Sequence, residues 1–202
     1  VPLAEPTPLP HATAVGLWGW ADPETGREYA LVPLSNGTAF VDVTKGDDPL
    51  VLGYLPGATG RPVTNREANV YADHALIVAD SGGNADGHGV QVFDLRQLRD
   101  VSAPPVTFSA TTVFRGVGKV HTITVNPETG FAYANGSDQC RGGLYMIDVR
   151  NPADPGAAGC YDGHSYTHDS QCVVYRGPDA RSAGRELCFA SNQDRLVVVD
   201  VT

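Results

Sequence analysis

The chain has 202 residues with 23 Gly, 15 Pro, 42% hydrophobic and 18% charged residues, and a formal net charge of −9. Gly and Pro at that density exclude long uninterrupted helices, and an acidic chain with few lysines excludes a nucleic-acid partner, which needs clustered Lys and Arg. No apolar run approaches the roughly 18 residues of a membrane-spanning helix, and the length fits one domain with a sizeable core.

Apolar segments bounded by Gly, Pro, Asn and Asp recur along the chain and read as short strands. The first group is GLWGW from Gly16, EYALVPL from Glu28, GTAFVDV from Gly37 and PLVLGYL from Pro49. The second is ANVYA from Ala68, HALIVAD from His74, GVQVFDL from Gly89 and PVTFSATTVF from Pro105. The third is VHTITV from Val120, GFAYANG from Gly130, GLYMIDV from Gly143 and PGAAGCY from Pro155. The fourth is SQCVVY from Ser170, RELCFAS from Arg185 and RLVVVDV from Arg195, with no fourth segment.

The third segments start at Gly37, Gly89, Gly143 and Arg195, and each carries Asp at the same place: Asp42, Asp94, Asp148 and Asp200. A repeat of about 50 residues with four strands is the blade of a β-propeller. The expected fold is therefore all-β, a β-propeller of four-stranded antiparallel blades. An N-terminal segment 1–16 precedes repeats at about 17–66, 67–118, 119–166 and 167–202. Either Val1 to Glu5 supplies the strand that closes a ring of four, or the repeats are consecutive blades of a larger ring. The chain begins at Val1 and its one methionine is Met146, which reads as a processed chain or a fragment.

The stretches LWGWADPETGREYALVPLSNGTAFVDVT, HGVQVFDLRQLR, NPETGFAYANGS and YTHDSQCVVYRGPDARSAGRELCFASN resemble the choice-of-anchor B family, whose members carry LVIVD-type repeats. The resemblance runs from about Leu17 to Thr202. It implies an exported or surface-displayed β-propeller and brings no known reaction.

Four cysteines without a CxxC pair point to two disulfides and an oxidising compartment, secreted, extracellular or periplasmic. Cys172 and Cys188 fall in adjacent antiparallel strands, where Cβ atoms come within disulfide reach, and Cys140 with Cys160 follows by elimination. Two N-x-[ST] sequons, at Asn36 and Asn135, fall in turns expected to face solvent and so to admit glycans.

His121 and His168 stand at the start of first strands, which line a propeller's channel. Arg66 and Glu67 hold the matching place in the second repeat, and Asp169 follows His168. These five residues are expected to converge near one mouth of the channel and to bind a transition metal or a polar small molecule. The loop from Asp80 to His88 alternates oxygen ligands with glycine, making Asp80, Asn84 and Asp86 candidates for a Ca²⁺ site. His88, His74, His11 and His164 default to surface or turn positions.

Nucleophile elbows, zinc-protease and phosphate-loop motifs are absent. The expectation is a non-enzymatic binding or surface-assembly module with a protein or polysaccharide partner, or self-assembly. The alternative is a metal-dependent hydrolase or lyase with a His and carboxylate site.

Overall fold

A computed structural model describes residues 12–80 and 87–202. Its strands are β1 (Trp18–Ala21), β2 (Glu28–Leu34), β3 (Gly37–Asp42), β4 (Leu50–Pro56), β5 (Arg66–Tyr71), β6 (His74–Ala79), β7 (Val90–Asp94), β8 (Val106–Thr107), β9 (Thr112–Phe114), β10 (Thr122–Asn126), β11 (Phe131–Asn135), β12 (Leu144–Asp148), β13 (Gly156–Tyr161), β14 (Thr167–Val174), β15 (Glu186–Asn192) and β16 (Leu196–Asp200). They form four sheets in the orders β1-β2-β3-β4-β8, β5-β6-β7-β9, β10-β11-β12-β13 and β14-β15-β16. All pairings are antiparallel except β4 with β8.

The sheets stack in chain order. The first strands pack in sequence, β1 against β5, β5 against β10 and β10 against β14. Tyr29, Leu31, Phe40 and Phe93 fill the seam between the first two sheets, and Leu76, Val92, Ile123 and Ala134 the next. Tyr133, Leu144, Cys172 and Ala190 fill the third. Burial patterns follow from this order. All six residues of β6 are buried, with Ala75 and Ile77 turned to one neighbour and Leu76 and Val78 to the other. A strand enclosed on both faces reads as an unbroken apolar run. In β14 buried and exposed residues interleave, because only one face of its sheet is covered.

One row of paired residues recurs across each sheet. It is Trp18-Leu31-Phe40 in the first, Asn69-Leu76-Val92 in the second, Thr124-Tyr133-Met146 in the third and Gln171-Phe189-Val198 in the fourth. In the first three sheets the second and third residues of the row pack on the following sheet. Polar links reinforce the seams. Arg99 grips Asp22 through two hydrogen bonds of 2.7 Å, and the Glu186 carboxylate accepts from Tyr133 and Asn126, both at 2.6 Å, and from Thr129 at 3.0 Å.

Two expectations change, and the open question of closure is answered for the described residues. The segment from Pro105 is not one strand: β8 crosses to pair with β4 of the first sheet, and β9 completes the second sheet. Phe108 lies between them and anchors the crossover by packing edge-on to Phe40 and Phe93. The first sheet therefore has five strands rather than four. Among the described residues no strand pairing joins the fourth sheet to the first, so closure into a ring is not seen. Val1 to Glu5 lies outside the described residues.

Candidate functional site

The first strands of all four sheets meet around one open cavity of about 260 Å³. Alternation along each strand decides what reaches it. In β5, Arg66 and Ala68 turn toward the first sheet while Glu67 and Asn69 turn toward β10. The lining is polar on three strands, with Glu67 and Asn69 from β5, Thr124 from β10, and Asp169 and Gln171 from β14. Leu17 and Trp18 supply an apolar wall, and the Trp18 side is 43% exposed.

Electrostatics at the cavity are one-sided. Burial, and then repulsion from Asp169, pushes the Glu67 carboxyl above its usual range, against the pull of the Ile123 backbone N–H and of His121. Among the described residues neither Glu67 nor Asp169 forms an ion pair, and Asp169 Oδ1 accepts from the Ser170 N–H at 2.8 Å and the Thr122 hydroxyl at 3.4 Å.

His121 and His168 lie together, with Nε2 atoms 3.0 Å apart and ring centroids 4.5 Å apart. Asp80, at the end of β6, stands behind His121 with Oδ2 3.0 Å from Nδ1. Its other oxygen takes Lys119 Nζ at 3.0 Å, and that contact raises the lysine's pKa. A carboxylate facing Nδ1 makes that nitrogen the donor, so His121 Nε2 accepts from His168 Nε2–H. The contacts run from Asp80 through His121 to His168, which is exposed and whose Nδ1 has no hydrogen bond among the described residues. Among the described residues, no group of three or more His, Cys, Asp or Glu side chains is arranged to hold a metal ion.

The expected cluster is thus assembled in two parts. Glu67 and Asp169 line the cavity; His121 and His168 form the hydrogen-bonded pair, joined to it through Thr122, whose hydroxyl donates to the His168 carbonyl at 2.9 Å. Arg66 does not belong to it. Its side chain is fully buried, with Nε donating to the Leu34 carbonyl at 2.9 Å and Nη1 to His88 Nε2. Strand alternation sends Arg66 and Glu67 to opposite faces, which adjacency in sequence conceals.

His88 is likewise not a surface residue but fully buried, and His74 is buried too, at 8% exposure. The His88 Nδ1–H donates to the Gly89 carbonyl at 3.0 Å, so the ring is neutral toward Arg66, and burial followed by the guanidinium lowers its pKa to about 4. In the sequence Arg66 lies between Asn65 and Glu67 and His88 between Gly87 and Gly89, and neither setting signals this pairing.

Of the calcium candidates, Asp80 spends both oxygens on Lys119 and His121, while Asn84 and Asp86 lie outside the described residues. The sequon turns face inward rather than to solvent. Asn135 is fully buried, its amide donating to Thr122 at 3.0 Å and its carbonyl accepting from Ser170 at 3.0 Å. Asn36 is half-buried, with its side-chain oxygen inside the fold and without a hydrogen bond. A second recess of about 450 Å³, lined by turn residues including His164, Tyr166 and Arg195, opens beside the fourth sheet.

Both disulfides form as expected, Cys140 with Cys160 and Cys172 with Cys188, and there are no free cysteines among the described residues. Two disulfides point to an oxidising, extracytoplasmic environment. No described helix is long and apolar enough to cross a membrane. The chain matches no protein-family model, no curated protein and no solved structure.

Proposed function

We propose that the chain is an arc of a β-propeller, exported or displayed at the cell surface, that acts as a non-enzymatic binding or surface-assembly module. The resemblance to choice-of-anchor B proteins and the two disulfides support the location. The cavity carries the functional reading, because four sheets contribute to it and its Glu67 and Asp169 carboxyls are not consumed by ion pairs of the fold. A cavity of about 260 Å³ with one exposed indole and several hydrogen-bonding groups suits a small polar moiety. That moiety is one residue of a surface polysaccharide or one side chain of a protein partner.

The test is binding to an array of polysaccharides and basic peptides by the chain and by its Glu67→Gln, Asp169→Asn double variant. Saturable binding to one class that falls at least about tenfold in the variant, a change of about 1.4 kcal/mol, supports the reading. Binding to neither class, or binding indifferent to the substitutions, overturns it.

A second reading, a metal-dependent hydrolase or lyase, would require the Nε2 atoms of His121 and His168 to exchange their mutual hydrogen bond for a metal ion. Stoichiometric transition metal in purified protein, lost on His121→Ala with His168→Ala, would replace the first reading with the second.

A further inference from the structure

On the reading of the cavity between the four first strands as the binding site, we infer that its ligand is the ammonium group of a lysine side chain on a protein partner. Most polar side chains of the lining are already engaged inside the fold. Asn69 donates its amide to the Ile123 carbonyl at 3.3 Å, and its oxygen accepts from the Val70 N–H at 2.8 Å. The Thr124 hydroxyl donates to the Ser170 carbonyl at 2.8 Å, and the Ser170 hydroxyl to Asn135 Oδ1 at 3.0 Å. Three side chains of the lining keep acceptors to spare: Glu67, Asp169 and Gln171.

Asp169 Oδ1 takes the Ser170 N–H and the Thr122 hydroxyl, while Oδ2 has no hydrogen bond among the described residues. The Glu67 carboxylate takes one backbone N–H, from Ile123. Gln171 is exposed, and its side chain forms no hydrogen bond among the described residues. A lining whose spare groups are mostly acceptors, two of them acidic, selects a ligand that brings donors and positive charge. No Lys or Arg stands among the lining residues to supply that charge, and a cation between Glu67 and Asp169 relieves the repulsion between them.

The form of the cation follows from the same acceptors. Each carboxylate already has a backbone N–H bound, so neither presents the open pair of oxygens that a guanidinium fork engages. An ammonium carries three separate donors, one for each of the three side chains. Calcium takes about six to eight oxygen ligands, and the wall of Leu17 and Trp18 supplies none. That wall, with Leu17 71% and Trp18 43% exposed, fits the methylene stem of a lysine and offers the indole to its charge. At about 260 Å³ the cavity is smaller than the roughly 300–1,000 Å³ of small-molecule pockets, which favours a slim side chain over a sugar ring. The chain's formal net charge of −9 draws basic partners toward it.

The test titrates the full chain, by calorimetry, with tetralysine, Nε-acetylated tetralysine, tetra-arginine and a glucosamine tetramer with free amines. Tetralysine is expected to bind at least about tenfold more tightly than the other three, and to weaken at least about tenfold in the Glu67→Gln, Asp169→Asn variant. An Asp47→Asn, Asp48→Asn variant removes equal charge from the exposed turn between β3 and β4, and is expected to bind within about twofold of the original. Gln171→Ala is expected to keep the melting temperature and to weaken tetralysine about threefold. Acetylated tetralysine or tetra-arginine that binds as tightly, and is lost with the two carboxyls, overturns the ammonium while the cavity remains the binding site. A tighter glucosamine tetramer makes an amino sugar the occupant and overturns the lysine. Absence of tetralysine binding overturns the inference and leaves the cavity reading to the wider array of ligands. Equal weakening in both charge variants also overturns it, since the attraction is then to the acidic surface at large.

Discussion

The buried pair Arg66 and His88 makes the fold sensitive to mild acid, and the sign follows from the pKa. His88 is held neutral, with its pKa lowered to about 4 from an ordinary 6.5, by burial first and by the adjacent guanidinium second. A histidine depressed in this way contributes its full stability above pH 6.5 and loses it as the pH falls through 6.5 toward 4, since only the unfolded chain takes up the proton in that window. Between pH 7 and pH 4.5 the loss works out at about 2.5 kcal/mol. Urea unfolding at the two pH values measures it, with His88→Gln as the reference. Glutamine fills similar space and can accept from Arg66, but it does not titrate. The wild-type chain is expected to lose about 2.5 kcal/mol more than the variant over that interval. Equal losses in both would show that His88 is protonated in the folded state, and the reasoning from its buried contact with Arg66 would fail.

Other outcomes follow from single contacts. Glu186→Gln replaces the carboxylate that accepts from Tyr133, Asn126 and Thr129, and is expected to cost about 2 kcal/mol in denaturant unfolding. A cost near zero would mean that these bonds do not tie the third sheet to the fourth. Reducing Cys172 and Cys188, 16 residues apart, is expected to remove about 3 kcal/mol, read as a lower melting temperature in a reductant; an unchanged melt would contradict the cross-strand bond. Gly57→Ala sets a Cβ 2.6 Å from the buried Nη2 of Arg66 and is expected to destabilise by about 1–3 kcal/mol, whereas a neutral result would show that the guanidinium has room to move. Folded protein from a glycosylating host is expected to carry no glycan on Asn135, and peptide mapping that found one there would contradict its burial.

Hairpins were the legible part of this chain. EYALVPL is β2 residue for residue, because a compact apolar run ends on Ser35-Asn36-Gly37, a turn any strand of that length would need. The disulfides were legible for a related reason, since antiparallel neighbours bring Cys172 opposite Cys188. What sequence order could not reveal is which face a residue takes where both faces are buried. Arg66 and Glu67 are neighbours in the chain and end in different seams; His88 looks like a loop residue and is sealed against Arg66. The segment from Pro105 hid its division for a similar reason, because both β8 and β9 are strand-like and only the anchoring of Phe108 separates them. Of the candidate site, the partners of the two histidines were visible by position in the repeat, whereas Asp80 was assigned to a cation loop and instead orients His121.

The central claim is that the place where the four first strands meet is where this protein binds. Amide chemical-shift mapping, with the best polysaccharide or peptide from the array added to the isotope-labelled chain, tests it most directly. The account expects the perturbed residues to gather on β1, β5, β10 and β14 around Trp18, Glu67 and Asp169, and to vanish in the Glu67→Gln, Asp169→Asn variant. Perturbations confined to the outer turns, with the four first strands unmoved, would contradict it.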